Sequence, residues 1–410
     1  MTVDVAIVGG GIAGAALATV LARDGYEVLL LERQTSYRDK VRGEVLLCWG
    51  VAEMLALDLE KQLLAAGGHY VTRAVAYDEV IDPATAEANA VPLDRLLPGV
   101  TGALDVGHPE ACEALARAAA EAGATVLRGV GDVEVVPGAP PTLRYELDDL
   151  VTTVSAGLVV GADGRTSSVR RQLGRALQQT PPRSMLGGML VDGLVGWPAD
   201  QMSLGTEGDL YYLVFPRAHG RARLYLLHDL AQRGRFAGPD REARFLDAFR
   251  FRCLPDTDVF GAAHPAGPCA FYPMNDTWID DPCAPGVVLI GDAAGWNDPI
   301  IGQGLSIALR DVRMVADVVR AGPDRSTAAF TPYVRERRER MRRLRVAAEV
   351  RTTLVATFTP AGAARRTAYN AVFRSDPVLG GTRLAPLLGP DNVPAEAFEP
   401  DTVSRILAMG

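Results

Sequence analysis

The chain has 410 residues, enough for two domains or for one large domain carrying an insertion. Its net charge of −8, without a long block of one sign, argues against nucleic-acid binding, which leaves a basic footprint. Five scattered cysteines with no CxxC pair argue against a zinc site or a disulfide framework, and no apolar run reaches the roughly 18–20 residues that span a bilayer.

The N-terminus enters a strand pattern directly, with no basic region and apolar signal core before it, so a reduced, cytoplasmic setting is expected. Residues 3–8 read as a buried strand, 9–14 as a glycine-rich turn, 15–23 as a helix ended by Asp24-Gly25, and 26–31 as a second strand closing on Glu32. This β-α-β unit predicts a parallel sheet. Residues 110–122 read as an alanine-rich helix, 124–127 as a strand, 143–145 and 152–154 as a small antiparallel element, and 157–161 as a buried strand.

The texture changes from 187 to about 272, where strand-like runs such as 210–215 and 223–227 alternate with Gly, Pro and Asp around one helix at 241–251. An antiparallel sheet with a separate role is expected there. Residues 287–290 return to the buried-strand pattern, and 305–319 are strongly helical. Residues 331–358 read as a long helix whose arginines, from Arg335 to Arg345, form a solvated face. The proline-bearing segment 376–410 reads as a surface-draped tail closing with a short helix.

Gly9-x-Gly11-x-x-Gly14 follows a strand and opens a helix. Gly9 permits the tight turn, Gly11 lets the backbone approach a pyrophosphate, and Gly14 lets helix and strand pack closely. The helix N-terminus then offers free N–H groups and partial positive charge to phosphates. Glu32 stands where a carboxylate binds the ribose hydroxyls of an adenosine, and it disfavours a 2′-phosphate by repulsion. Ile12, Ala13, Arg33 and Val130 are counted with the same cofactor site.

A second segment, 287–309, delivers Gly291-Asp292 at a strand end and then opens a helix with Gly302-x-Gly304, followed by Leu305 and Ser306. A carboxylate there can accept hydrogen bonds from ribityl hydroxyls. A glycine loop at a helix N-terminus suits the pyrimidine edge of a flavin, which carries negative charge when reduced. A third segment, 158–170, runs a strand into Ala162-Asp163-Gly164 and a helix start capped by Thr166 or Ser167. These features point to FAD.

Together the three segments resemble the class A flavoprotein monooxygenases, typified by p-hydroxybenzoate hydroxylase, over roughly residues 1–320. The resemblance implies an α/β fold: a Rossmann-like FAD-binding domain with a parallel sheet, an antiparallel β-sheet substrate domain and a C-terminal helical segment. The expected boundaries are 1–73, 98–186 and 274–330 for the FAD domain, 74–97 and 187–273 for the substrate domain, and 331–410 for the C-terminal helix and tail. It implies that Asp292 holds the ribityl chain, that Gly302 to Ser306 line the flavin ring, and that Asp163 ties FAD and nicotinamide-nucleotide binding together. Arg42 matches a family arginine near the path of the ring. His108 stands where relatives often carry an FAD-contacting arginine. Relatives often continue Ala-Ala-His-x-x-Pro-Pro after the aspartate, whereas this chain reads Ala293-Ala294-Gly295-Trp296-Asn297-Asp298-Pro299. Asp298-Pro299 also resembles flavin-dependent halogenases and geranylgeranyl-type reductases.

No second dinucleotide unit appears, as a glutathione-reductase-like enzyme would need. The resemblance implies instead transient reduction by NAD(P)H and transfer of one oxygen atom from O2, through a flavin hydroperoxide, to an apolar or aromatic small molecule. Hydroxylation or epoxidation in secondary metabolism is the expected setting. The alternatives are a reductase of isoprenoid double bonds and a flavin-dependent halogenase. The flavin carries the chemistry, so no acid or base residue is assigned. Trp296 and Pro299 are expected beside the flavin. Tyr211, Leu213, Phe215, Tyr225 and Tyr272 on sheet strands, with Trp296, are expected to form the substrate wall, because residues i and i+2 of a strand share a face.

Overall fold

The computed structural model describes residues 1–41 and 43–410. Strand Thr2–Val8, helix Ile12–Arg23 and strand Val28–Glu32 form the first β-α-β unit, its strands paired in parallel. Their sheet continues on one side through Leu150–Gly161, Val287–Leu289 and Cys283–Ala284, and on the other to Thr125–Arg128. All these pairings are parallel except the one that adds Cys283–Ala284. Val8 lies opposite both Leu31 and Gly161, and Gly161 opposite Leu289. The carboxyl ends of four strands therefore stop at one level. They deliver Gly9, Glu32, Asp163 and Asp292 to a single edge, where open α/β sheets bind ligands.

Helix Ile12–Arg23 is alanine-rich and buried from Ala13 to Ala22. Small side chains let it sit between the sheet and helices His108–Glu121 and Gly304–Arg320, and Thr19 Oγ1 donates to Leu115 O at 3.1 Å. Leu17 and Leu21, fully buried here, each contribute about 1.5–3 kcal/mol by leaving water. Leu150–Gly161 is one strand where the sequence suggested two. Its first part forms an antiparallel hairpin with Thr142–Leu147, and its second part enters the parallel sheet. The change is physical: an alternating burial pattern gives way to burial on both faces from Leu158 onward.

A second sheet runs in the order His264–Pro265, Ser184–Asp192, Arg221–Asp229, Leu210–Arg217, Gln201–Glu207, Arg73–Ala76 and Val91–Pro92. It is antiparallel except where Gln201–Glu207 meets Arg73–Ala76. Side chains alternate strictly. Tyr212, Val214, Leu224 and Leu226 join an outer core with Phe245 and Phe249. Tyr211, Leu213, Tyr225 and Leu227 join an inner core with the C-terminal helices.

Two expectations fail in the C-terminal region. The arginines of helix Thr331–Val355 do not all face solvent: Arg335 and Arg338 are exposed, but Arg337 and Arg340 are 3% and 0% exposed. Both reach Asp311, itself fully buried on helix Gly304–Arg320, at 3.0 and 2.6 Å. A buried carboxylate must be paired, and two guanidiniums pair it. Residues 376–410 are not a draped tail either. Helices Pro377–Leu388 and Pro400–Leu407, with the short helical turn Ala395–Phe398 between them, bury Leu379, Ala385, Phe398 and Ile406 against helix Thr331–Val355 and its neighbours. Among the described residues, no helix is long and apolar enough to cross a membrane.

Candidate functional site

A single cavity of about 1080 Å³ opens at the carboxyl edge of the parallel sheet and runs to the inner face of the second sheet. Its size exceeds that of a typical small-ligand pocket, roughly 300–1,000 Å³. Gly9, Gly11, Ile12, Ala13, Glu32, Arg33, His108, Val130, Asp163, Gly291, Asp292, Gly302, Gly304 and Leu305 line it, as do Trp296 and Pro299. So do Tyr211, Leu213, Phe215, Tyr225 and Tyr272. Gly14 and Ser306 lie behind this lining, and Arg42 falls outside the described residues.

At the glycine turn, Gly9 adopts φ +105°, and a side chain there would strike the backbone of Ala162 and Asp163. A Cβ on Gly14 would collide with the Gly9 carbonyl. Gly11 differs, for nothing stands within 4 Å of the position its Cβ would take. It is also the N-cap of helix Ile12–Arg23 and gives no side-chain cap, so the first turn directs its N–H groups into the cavity. An open cradle at an uncapped helix start fits a pyrophosphate. Glu32, 6% exposed, accepts from Gly10 N–H at 2.6 Å and Gln34 N–H at 2.7 Å. Tyr37 Oη donates to Gly10 O at 2.6 Å, and burial beside Glu32 raises its phenol pKa.

Asp163 plays a structural part that its sequence context did not announce. Its carboxylate accepts from Ser167 Oγ at 2.5 Å, Ser168 N at 2.6 Å, Ser168 Oγ at 3.1 Å and Val169 N at 3.1 Å. Ser167 is the N-cap, accepting from Arg170 N at 2.9 Å. Arg165 pairs with Asp292 at 3.1 Å and lies 5.1 Å from the Trp296 ring centre. His108 is the first residue of its helix, with Cys112 Sγ 3.6 Å from Nδ1.

The loop between Asp292 and helix Gly304–Arg320 is held from below. Gly291 N–H donates to Asp311 at 2.8 Å, and Arg337 donates to the carbonyls of Ala294, Gly291 and Gly295 at 3.0, 3.1 and 3.0 Å. Trp296 is fixed through its backbone, its N–H donating to Thr277 Oγ1 at 3.0 Å and its carbonyl accepting from Thr277 N at 2.8 Å. Asp276 accepts from Asn297 Nδ2 and Asp298 N at 2.6 and 2.8 Å. Burial pushes Asp276 up to about 6 and Asp298 up to about 7. Gly302 is left-handed, and Gln303, the N-cap of helix Gly304–Arg320, offers no side-chain cap. A second uncapped helix start thus borders the cavity, as the pyrimidine edge of a flavin requires. The side chain of Gln303 instead accepts from Trp49 Nε1 at 2.6 Å and donates to Ile301 O and Pro386 O at 2.5 and 3.3 Å.

Tyr211, Leu213 and Phe215 share the inner face, and Tyr211 Oη accepts from Arg351 at 2.9 Å. Tyr225 is buried beside them, and Tyr272 Oη donates to Lys40 O at 3.2 Å. Sequence reasoning missed Trp49, Asp311, Arg337, Arg351 and Arg383. Only Asp311 left a readable trace: it falls on the face marked by Ala308, Val312 and Val315, where a charge needs a buried partner.

Comparison with known proteins agrees with this geometry. Residues 2–347 match the family described as "FAD binding domain". A menaquinone reductase of Mycolicibacterium smegmatis is 26% identical over 338 residues, covering 78% of this chain and 76% of the relative. A kynurenine 3-monooxygenase of Salinispora tropica is 28% identical over 365 residues, covering 79% and 74%. The structure of PqsL from P. aeruginosa in complex with 2-aminobenzoylacetate superposes with a TM-score of 0.73 at 21% identity, over 87% of this chain and 98% of that one, and shows the shared fold. With two uncapped helix starts, an open Gly11 cradle and a family match over most of its length, the chain belongs to the FAD-binding domain family and is an FAD-dependent oxidoreductase.

Proposed function

We propose that the protein is an NAD(P)H-dependent monooxygenase that inserts one oxygen atom from O2 into a small aromatic molecule, by hydroxylation or epoxidation. The continuity of the cavity carries this reading: the cofactor cradle and the wall of Tyr211, Leu213, Phe215 and Tyr225 line one space. FAD, when bound, supplies the redox chemistry, accepting a hydride and activating oxygen. Gly11 and the start of helix Ile12–Arg23 would hold its pyrophosphate, Glu32 its adenosine ribose, and Asp292 its ribityl chain. The start of helix Gly304–Arg320 would face the ring's pyrimidine edge and favour its reduced, anionic form. The apolar inner wall excludes water from the reacting centre, and Trp296 and Pro299 flank it.

Nothing among the described residues forms a second glycine-turn β-α-β unit, so the hydride donor would dock transiently. The kynurenine 3-monooxygenase relative supports oxygen transfer, whereas the menaquinone reductase relative favours a second reading, a reductase. The test mixes the holoprotein anaerobically with NADH or NADPH and then admits air in the presence of candidate aromatics. Bleaching of the flavin, followed by oxygen uptake that rises with substrate, supports the proposal. Full turnover without oxygen would replace it with the reductase reading.

A further inference from the structure

The wall of the cavity built by the C-terminal helices carries positive charge that the protein does not neutralise. Arg351 on helix Thr331–Val355, Arg383 on helix Pro377–Leu388 and Arg374, between helix Pro360–Val372 and helix Pro377–Leu388, all line it. Among the described residues, no carboxylate lies within ion-pair distance of any of the three. Buried Arg223, Arg337, Arg340 and Arg366 each reach a carboxylate at 3.3 Å or less, whereas buried Arg170 is satisfied by the carbonyls of Ala293 and Arg165, each at 3.0 Å.

The three differ in what they have left to offer. Arg374 is exposed and donates to Asn89 O at 2.7 Å. Arg351 donates to Tyr211 Oη at 2.9 Å, and Arg383 donates to Asn370 Oδ1 at 2.9 Å while lying 4.1 Å from the Phe373 ring centre. Neither of those contacts cancels charge. Burial, with Arg351 close by, depresses Arg383 to about 10, which leaves its guanidinium cationic at neutral pH. Holding two like charges in a shared, partly desolvated wall is costly unless an anion occupies the space between them.

The location is suited to a substrate. Arg383 stands one helical turn, about 5 Å, before Pro386, whose carbonyl receives the amide of Gln303 beside the expected flavin edge. Tyr211, which Arg351 holds, begins the apolar stripe of the inner sheet face. We propose that Arg351 and Arg383 form a carboxylate-binding subsite, and that the substrate is an aromatic molecule bearing one carboxylate. Two guanidinium forks match the planar, two-oxygen geometry of a carboxylate. The expectation of an apolar or aromatic small molecule is thereby narrowed to an aromatic ring with an anionic handle. This rests on the monooxygenase reading only in calling the occupant a substrate.

The test is a binding experiment, independent of NAD(P)H and oxygen, so its failure is separate from failure of the oxygen-transfer reading. Purified holoprotein is titrated with benzoate, phenylacetate and anthranilate, and with benzamide, phenylacetamide and anthranilamide, following the flavin absorbance. At least one acid should bind tenfold or more tighter than its amide. In Arg383→Gln that acid should weaken by tenfold or more while its amide and the flavin content stay unchanged. Arg351→Gln provides the same comparison should the first variant fail to fold. Equal binding of acids and amides, no binding of any acid, discrimination that survives in both variants, or tighter binding of phenyl phosphate than of the acids would each overturn the assignment.

Discussion

Arg337 and Asp311 form an ion pair of 3.0 Å entirely inside the protein, directly beneath the loop that carries Asp292. The same Asp311 oxygen takes the Gly291 N–H at 2.8 Å, and Arg337 gathers three carbonyls of that loop. The pair thus sets the conformation of the turn that carries Asp292 from below, without touching the cavity. Asp311→Ala should strand Arg337 and cost about 3–5 kcal/mol, read from urea unfolding of the holoprotein, with loss of flavin on gel filtration. Burial alone would raise the Asp311 pKa, but Arg337 and Arg340 outweigh it and hold the carboxyl below its ordinary value. A depressed folded pKa stabilises above the unfolded value of about 4 and loses that contribution only as pH falls through the folded one. The stability gap between wild type and Asp311→Asn should therefore be constant at neutral pH and shrink below about pH 4.

The glycine turn separates folding from binding. Gly14→Ala would drive a Cβ into the Gly9 carbonyl and should yield little folded protein. Gly11→Ala meets nothing within 4 Å, and Gly11 has an ordinary φ of −69°, so the variant should fold with an unchanged melting temperature. Its methyl group would occupy the space of the pyrophosphate. FAD affinity should fall by at least about tenfold, or about 1.4 kcal/mol. Equal FAD affinity in Gly11→Ala would show that the phosphates lie elsewhere.

Asp292 lines the cavity and, among the described residues, pairs only with Arg165, at the partly exposed carboxyl edge. Asp292→Ala should leave the fold intact and lower FAD occupancy of the purified protein. Full occupancy, measured by the ratio of flavin to protein absorbance, would remove this residue from the cofactor site.

Asp298 caps the turn Pro299–Ile301, accepting from Ile300 N at 2.9 Å, and burial, reinforced by Asp276, lifts it to about 7. A raised carboxyl pKa destabilises the fold as pH climbs from the unfolded value of about 4 to the folded value, and the penalty is complete above it. Asp298→Asn keeps an acceptor oxygen for the cap and removes that penalty. The variant's stability relative to wild type should rise between about pH 4 and 7 and then level off. A difference independent of pH, measured by thermal unfolding across that range, would contradict the assignment.

The cofactor end of this site was legible because its requirements are local. A strand, three glycines at fixed spacing and a helix leave a backbone signature, and Glu32 follows from the length of one β-α-β unit. The inner-face stripe was legible as well, since Tyr211, Leu213 and Phe215 alternate with Tyr212 and Val214 on a single strand. The far wall was not. Arg337 and Arg340 look like solvated charges in an arginine-dense helix, and only tertiary packing puts Asp311 opposite them. Residues 377–388 carry an internal proline, Pro386, and read as a tail, yet they form a helix whose Arg383 completes the cavity. Buried charge is decided by partners distant in sequence, which periodicity cannot reveal.

The most direct test of the account is turnover of an accepted aromatic substrate with NAD(P)H under oxygen-18 gas, followed by mass analysis of the product. Incorporation of one oxygen-18 atom per product molecule, with one O2 consumed, is the predicted result. A product that gains two hydrogens and no oxygen-18, formed equally well without oxygen, would contradict oxygen transfer and make the protein a reductase.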